Sequence, residues 1–198
     1  MKAILDILYI IRPFNILIAI LSVFFVINML TVLDICRYIS ISSVIGFYMS
    51  GAYILNDFLD IKIDKINKPS RTLVKYDIND KILIIIIFTL FFIGSLIAYT
   101  LPDISIYIAV YITLPAIVLY ELILKKIPLI GNIIISLLVG LIFVYTEAAT
   151  TESITLTYPI MILAFLLNLI REIIKDIEDR HGDSTYNFKT TLPSIRAP

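Results

Sequence analysis

The sequence predicts an all-α membrane protein, a polytopic bundle of transmembrane helices. Sixty per cent of its 198 residues are apolar and the mean hydropathy is +0.98, which leaves too little polar surface to cover a water-soluble core. The apolar residues fall in runs of about 20, the length that a helix needs to cross the hydrocarbon core of a bilayer. Their isoleucine content suits strands, but the length and the lack of alternation favour helices, whose backbone groups pair within the segment.

Six segments reach this length, and we predict one spanning helix for each. They cover residues 13–33, 38–59, 82–101, 104–124, 128–150 and 154–174. The first begins at Pro13, and proline is tolerated at the start of a helix. The first segment does not resemble a cleaved signal peptide, because its apolar run is too long and no small-residue cleavage site ends it. We therefore expect it to be retained as a span.

The charges predict the orientation. Acidic and basic residues balance, so the overall charge gives no indication of a nucleic-acid partner. Of the 16 Lys and Arg residues, all but Arg37 lie on one side of the predicted spans. This bias predicts that the N-terminus and the basic loops face the cytoplasm, with the protein in the cytoplasmic membrane. The opposite loops hold the acidic residues Asp34, Asp103, Glu147 and Glu152.

A first acidic cluster begins where the second span ends. Its polar residues are Asn56, Asp57, Asp60 and Asp64, and they share one face if the helix continues beyond the membrane. Three carboxylates so close together repel each other, and a divalent cation with oxygen ligands relieves that repulsion. Mg²⁺ fits best, because it takes few carboxylates and keeps positions for water or phosphate. Arg71 follows and suits two-pronged binding of phosphate oxygens.

A second acidic cluster leaves the sixth span on the same side. Asp176, Asp179 and Asp183 repeat the spacing of the first cluster. Two such clusters can clamp a diphosphate through two metal ions and neutralise it as a leaving group. The competing interpretation is a pair of solvated helix ends whose carboxylates pair with nearby lysines. Ionisable residues at the end of an apolar span are costly and usually functional, which favours the metal site.

A third polar group lies at the end of the fourth span. Tyr120 is followed by Lys125 and Lys126, and on their own these residues suit ordinary anchoring at the membrane interface.

Two stretches carry a family resemblance. They are Asn56-Asp57-x-x-Asp60-x-x-x-Asp64 with Asn67-Lys68-Pro69-x-Arg71, and Asp176-x-Glu178-Asp179-x-x-x-Asp183 with Thr191-Leu192-Pro193. These stretches resemble the two signature motifs of the UbiA-type intramembrane prenyltransferases. Arg12-Pro13-x-Asn15 resembles the opening of that family, and Tyr120, Lys125 and Gly131-Asn132 resemble its middle loop. The second stretch most resembles the geranylgeranylglycerol-phosphate geranylgeranyltransferase branch.

The resemblance implies a Mg²⁺-dependent transfer of a polyprenyl group, with geranylgeranyl diphosphate as the favoured donor. The acceptor is a lipid, such as geranylgeranylglycerol phosphate, or an aromatic compound, and the prenyl tail lies among the apolar spans beside membrane lipids. The implied metal ligands are Asn56, Asp60 and Asp64 for one ion and Asp176, Asp179 and Asp183 for the other. Asp57 lies nearby and Tyr120 supports the site. The implied substrate-binding residues are Arg12, Asn15, Asn56, Arg71, Lys125 and Lys126.

The length of the chain departs from the resemblance. The family fold has nine spans, so we expect residues 1–198 to form a single UbiA-like membrane domain that lacks the last three helices, and to be weakly active or inactive alone. One alternative is a non-catalytic remnant that binds prenyl diphosphate or lipid. A transporter is a further alternative, but transporters place polar groups near the bilayer midplane, where these spans carry almost no charge.

Overall fold

The computed structural model describes residues 10–30, 34–67, 72–76 and 78–185, and at residues 63, 66, 67, 75, 76 and 178–185 it describes the backbone alone. Every regular element in these ranges is helical, which confirms the predicted all-α fold. The helices are α1 (Pro13–Leu30), α2 (Ile35–Asn67), α3 (Thr72–Tyr76), α4 (Asp80–Ala98), α5 (Asp103–Leu122), α6 (Ile130–Thr151) and α7 (Tyr158–Thr185).

Five of these helices are long and apolar enough to cross a membrane, where the sequence predicted six. They are α1, α2, α4, α5 and α6. The sixth predicted segment does form a helix, α7, but Arg171, Glu172 and Lys175 lie within its first 18 residues. The apolar stretch of α7 before Arg171 is short, but the helix runs beside α6 until Asp176 contacts Asn132 at the start of α6, so the sixth span stays a prediction.

The core of the bundle lies where α1, α2, α5 and α6 meet. Val23 of α1, Ile41 and Val44 of α2, and Ala148 and Ala149 of α6 are almost fully buried there. Helix α2 packs mainly against α4, and α6 packs mainly against α7. The long α2 thus connects the core to the end of the bundle where the charged residues lie, which we call the charged end.

A seam of small and polar residues joins α6 to α7. Asn132, Ser136 and Gly140 recur every four residues along α6, so they share one face. A Cβ at Gly140 would lie 3.0 Å from the carbonyl oxygen of Met161, so any larger residue would push the two backbones apart by a few tenths of an ångström. Asn168 of α7 donates a hydrogen bond to the Ser136 hydroxyl, 3.2 Å away. Small residues of this kind are typical of helix contacts in membranes.

One segment of α5 departs from the regular α-helix. Residues Tyr107–Thr113 are π-helical, between α-helical turns at Asp103–Ile106 and Leu114–Leu122. Such segments are rare and are frequent at functional sites. Here the segment leads into the turns that carry Tyr120 and Glu121.

Glu147 fixes the opposite end of the bundle, which we call the loop end. The sequence placed this residue in a loop, but it lies in the last turns of α6 and its side chain is fully buried. One carboxylate oxygen accepts hydrogen bonds from the Ser153 hydroxyl and the backbone N–H groups of Thr155 and Leu156. The other accepts from the backbone N–H and the hydroxyl of Thr157, at 2.8 and 2.6 Å. One side chain therefore orders the whole connection from α6 to α7.

Candidate active site

The first acidic cluster lies on a continuous helix, as predicted. Helix α2 extends to Asn67, so Asn56, Asp57, Asp60 and Asp64 follow one another along its last turns. Asp64 is buried at 5% exposure, and the other three side chains are half-buried. Carboxylates held this far from bulk water need partners, and Asp57 and Asp60 find theirs just before α1 and in the turn after α5.

Arg12 approaches this cluster from the start of α1. Its guanidinium donates hydrogen bonds to Asp57, at 3.3 Å, and to the side-chain oxygen of Asn56, at 3.5 Å. The same guanidinium lies 4.7 Å from the ring centre of Tyr53, and the Tyr53 hydroxyl accepts a hydrogen bond from Asn15. Arg12 has a positive φ of 50°, which is uncommon for residues other than glycine. The packing around Arg12 therefore holds its side chain over the polar face of α2.

Lys125 approaches the same cluster from the other side. It lies in a single 3₁₀ turn after α5, Leu124–Lys126. Its ammonium group donates to both carboxylate oxygens of Asp60, at 3.1 and 3.2 Å. It also lies 3.2 Å from a carboxylate oxygen of Glu121. Asp60 and Lys125, which are 65 residues apart in the sequence and were assigned to one site, are therefore in direct contact.

Glu121 is a site residue that the sequence analysis missed. Its side chain is buried, at 6% exposure, and one carboxylate oxygen accepts a hydrogen bond of 2.9 Å from the Asn56 amide nitrogen. Two signals in the sequence could have indicated it: the residue is ionisable at the end of an apolar span, and it lies four residues before Lys125. Tyr53 was also missed, since an aromatic residue in an apolar helix has no signature of its own.

The second cluster meets the first at the beginning of α6. Asp176 of α7 accepts a hydrogen bond of 2.8 Å from the side chain of Asn132. Gly131, the residue before Asn132, lies against the turn that carries Lys125. A Cβ added at Gly131 would lie 3.0 Å from the Leu124 carbonyl oxygen. Tyr120 is within electrostatic reach of both Asp60 and Asp176. Asp60 of the first cluster and Asp176 of the second therefore lie in one common region of the charged end.

Several predicted site residues fall outside this arrangement. Arg71 and the side chains of Asp179 and Asp183 lie outside the described residues. Lys126 is exposed beside Lys125. Next to Asp176 along the inner face of α7, Glu172 is buried and pairs with Arg171 at 2.6 Å and with Lys175 at 3.0 Å.

An apolar cavity of about 150 Å³ begins beside the cluster and extends into the bundle. Helices α2, α5 and α6 form its walls. Tyr53, which packs under Arg12, lines one end, and Val44 and Tyr145 line the other. Val44 and Tyr53 are nine residues apart on α2, so the lining of the cavity extends about 13.5 Å along this helix at the helical rise per residue. The cavity suits a hydrocarbon chain whose polar head lies at Arg12.

The polar groups at this end fit a hard divalent cation in their chemistry. Among the side chains that the structure describes, no three acidic, histidine or cysteine groups form a ready-made metal cage. The carboxylates instead pair with cationic side chains, Asp60 with Lys125 and Asp57 with Arg12. Mg²⁺ rarely needs such a cage, because one or two carboxylates and the phosphates of a substrate complete its shell. Oxygens of Asn56, Asp60 and Asp176 meet that requirement.

Comparison with known proteins identifies the family. Residues 16–196 match the model of the UbiA prenyltransferase family. The chain belongs to this family. The resemblance inferred from the two acidic motifs is therefore confirmed, and the motifs lie within the matched region.

Similar proteins of known name support the assignment to this family. The chain is 34% identical over 195 residues to the digeranylgeranylglyceryl phosphate synthase of Methanobrevibacter smithii, and 37% identical over 152 residues to that of Pyrococcus furiosus. A solved structure of a digeranylgeranylglyceryl phosphate synthase matches with a TM-score of 0.77 at 28% identity, over 96% of this chain. The fold described above is thus that of a membrane prenyltransferase, and the chain is an integral membrane protein.

The matches cover the relatives unequally. The chain spans 68% of the M. smithii relative and of the solved structure. It spans 54% of the P. furiosus relative and 52% of the Thermococcus kodakarensis relative.

Proposed function

We propose that this chain transfers a prenyl group, geranylgeranyl by preference, from an allylic diphosphate to the hydroxyl of a glycerol-phosphate lipid with the help of Mg²⁺. The observation that carries the proposal is the position of Arg12 and Lys125, two cations that flank a row of carboxylates at the mouth of an apolar cavity. A prenyl diphosphate has the matching shape, with a highly charged head and a long hydrocarbon tail. The names of the relatives support the glycerol-phosphate acceptor.

The residues of this chain suit each part of the donor. Arg12 and Lys125 are placed to bind diphosphate oxygens, and the guanidinium of Arg12 can do so with two parallel hydrogen bonds. Asn56, Asp60 and Asp64 on α2, and Asp176 with Asp179 and Asp183 on α7, would hold Mg²⁺ ions. Bound Mg²⁺ supplies positive charge that stabilises the departing diphosphate. Tyr120, which is within electrostatic reach of Asp60 and Asp176, would support the reacting end of the donor.

The bond changes follow from this arrangement. The C1–O bond of the allylic diphosphate breaks, and the diphosphate leaves with the electron pair. The allylic carbocation then forms a new C–O bond with the acceptor hydroxyl, whose proton passes to the released diphosphate or to water. The apolar walls of the cavity exclude water from this cation.

The topology forms part of the proposal. The concentration of Lys and Arg at the charged end supports an active site at the cytoplasmic face of the cytoplasmic membrane. Arg12, which lies just before α1, contacts the cluster, and this supports an N-terminus on the same side.

The experiment that tests the function is a transfer assay with the purified 198-residue chain in lipid nanodiscs. Labelled geranylgeranyl diphosphate is supplied with geranylgeranylglycerol phosphate or with an aromatic acceptor, with Mg²⁺ or with EDTA. Binding of the labelled donor is measured in the same samples. Asp60→Ala and Asp176→Ala each remove one proposed metal ligand, and Glu152→Gln is a matched control at the loop end.

Each outcome of this assay has a meaning. Mg²⁺-dependent product with the lipid acceptor, lost in both alanine variants and kept in the control, supports the proposal. If product forms only with the aromatic acceptor, the acceptor is an aromatic compound and the proposed lipid acceptor is wrong. Metal-dependent binding without product would support the alternative of a non-catalytic prenyl-diphosphate-binding protein. Turnover that survives both alanine substitutions would overturn the metal assignment.

A further inference from the structure

Glu121 has an unusual position among the carboxylates of the charged end. It is more deeply buried than Asp60, and its described partners are Asn56 of α2 and Lys125 of the following turn. Both partners belong to the proposed active site, and Glu121 itself lies behind them. A carboxylate in such a place is costly to bury unless its partners compensate its charge.

The contact with Asn56 determines which way that side-chain amide points. A carboxylate only accepts hydrogen bonds, so the Asn56 nitrogen must face Glu121 at 2.9 Å. The amide oxygen of Asn56 then faces Arg12, the direction from which a diphosphate would enter. The oxygen is the atom that a Mg²⁺ ion requires, whereas the amide nitrogen would repel it.

The contact with Lys125 determines where that ammonium group stays. Lys125 is shared between Asp60, at 3.1 Å, and Glu121, at 3.2 Å. When Asp60 turns to a metal ion, Glu121 still holds Lys125 at the edge of the site. The freed ammonium donors can then reach diphosphate oxygens.

We infer that Glu121 is a positioning residue, which acts through Asn56 and Lys125 to present a metal-binding oxygen and a phosphate-binding cation in the correct places. The inference rests on the proposed function and deepens it. Residues that orient metal ligands in this way commonly change metal affinity by 10- to 100-fold when they are replaced.

The test compares three variants of the full chain with the wild type. Glu121→Gln keeps the size of the side chain, but its amide can bond to either end of the Asn56 amide, which is then free to flip. Asn56→Asp with Glu121→Gln reverses the pair, so that the new amide donates to the new carboxylate and an oxygen again faces the site. Glu152→Gln is the matched control, since it makes the same change at an exposed position at the loop end.

The main measurement is binding of Mn²⁺, as a probe of the Mg²⁺ site, followed by electron paramagnetic resonance with and without geranylgeranyl diphosphate. Thermal unfolding of the same samples shows whether each variant folds. We expect Glu121→Gln to weaken Mn²⁺ binding roughly tenfold, the double variant to recover most of this loss, and the control to bind like the wild type. In transfer assays, Glu121→Gln should also raise the KM for the diphosphate more than it lowers kcat.

Three results would overturn the inference. Folded Glu121→Gln that binds Mn²⁺ like the wild type shows that Glu121 does not orient the site. A double variant that folds but binds Mn²⁺ no better than Glu121→Gln shows that the orientation of Asn56 is not the cause. Failure of the wild type itself to bind Mn²⁺ would overturn the metal part of the proposed function together with this inference.

Discussion

The two ends of the bundle each contain a buried glutamate, and the two glutamates differ in their partners. At the loop end, Glu147 accepts five hydrogen bonds from the connection that follows its own helix. At the charged end, Glu121 bonds to Asn56 on another helix and to Lys125, both of them residues of the proposed site. Residue type and burial are nearly the same at both ends, so they do not distinguish the roles.

The comparison teaches that the partners of a buried carboxylate indicate its role. A group satisfied by neighbouring backbone N–H groups stabilises local structure. A group satisfied by side chains that have a second task positions those side chains. Glu147 should therefore matter for folding and Glu121 for activity.

The largest expected effect is at the loop end. Replacing Glu147 by Gln exchanges one acceptor oxygen for a donor and leaves buried N–H or hydroxyl groups of the connection unpaired. We expect a loss of about 3 kcal/mol in the free energy of unfolding. Denaturant unfolding in detergent micelles measures it, and transfer per folded molecule should be unchanged. Glu152→Gln, five residues away and exposed, should change stability by less than about 0.5 kcal/mol. Equal stability of the two variants would break the comparison.

The next effect is at the charged end and concerns activity. Lys125→Met keeps the length of the side chain but removes the cation that Asp60 and Glu121 share. Transfer should fall on the order of a hundredfold, since a charged group placed at the leaving diphosphate is lost. Steady-state kinetics with geranylgeranyl diphosphate measure this loss. Lys81→Met, an exposed lysine at the start of α4, is the control and should keep the wild-type rate.

A smaller effect is expected from the backbone that carries Lys125. A Cβ at Gly131 would lie 3.0 Å from the Leu124 carbonyl oxygen and 3.1 Å from the Cα of Lys125. Gly131→Ala should cost about 1–2 kcal/mol of stability and raise the KM for the diphosphate, because the turn must shift. Gly46→Ala is the control: its Cβ would meet only Ile16, at 3.8 Å, so alanine should stabilise α2 slightly. A KM that does not change in Gly131→Ala would show that this turn tolerates displacement.

The smallest effect concerns two tyrosines that line the cavity between the ends. Tyr48 must donate its hydroxyl proton to Ser95, at 2.9 Å, because Ser95 donates its own to the Phe91 carbonyl. The Tyr145 hydroxyl is buried without a hydrogen-bond partner among the described residues. Tyr48→Phe should therefore lose about 1 kcal/mol of stability, and Tyr145→Phe should gain up to about 1 kcal/mol. Thermal unfolding of the two variants side by side tests the difference, and a loss in both would mean that Tyr145 has a partner.

The sequence predicted most of what depends on local pattern. The apolar runs defined the spanning helices, and the spacing of Asn56, Asp57 and Asp60 placed them together on α2, because helical geometry links residues three and four apart. The acidic motifs also indicated the UbiA family, which the family model confirms. The individual roles assigned to the site residues stay predictions.

The sequence did not predict what depends on packing between distant segments. Glu121 before Lys125 has the spacing of an ordinary helical ion pair, and only the position of α2 reveals that Asn56 completes the contact. Glu147 looked like a loop residue, because nothing in its neighbourhood shows that five donors will surround it. The sixth span stays a prediction, because a run of apolar residues does not register how early Arg171 and Glu172 interrupt α7.

The π-helical segment of α5 makes the positions of Tyr120 and Glu121 depend on the number of residues that precede them. A π-helical turn contains about one residue more than an α-helical turn, so it behaves like a single-residue insertion that the helix has absorbed. Every residue after Thr113 is turned by about 100° relative to an uninterrupted helix. Deleting one residue from Tyr107–Thr113 would turn Tyr120 and Glu121 away from α2 without altering either residue. A one-residue deletion in this segment, at least seven positions before Tyr120, would therefore disrupt the site.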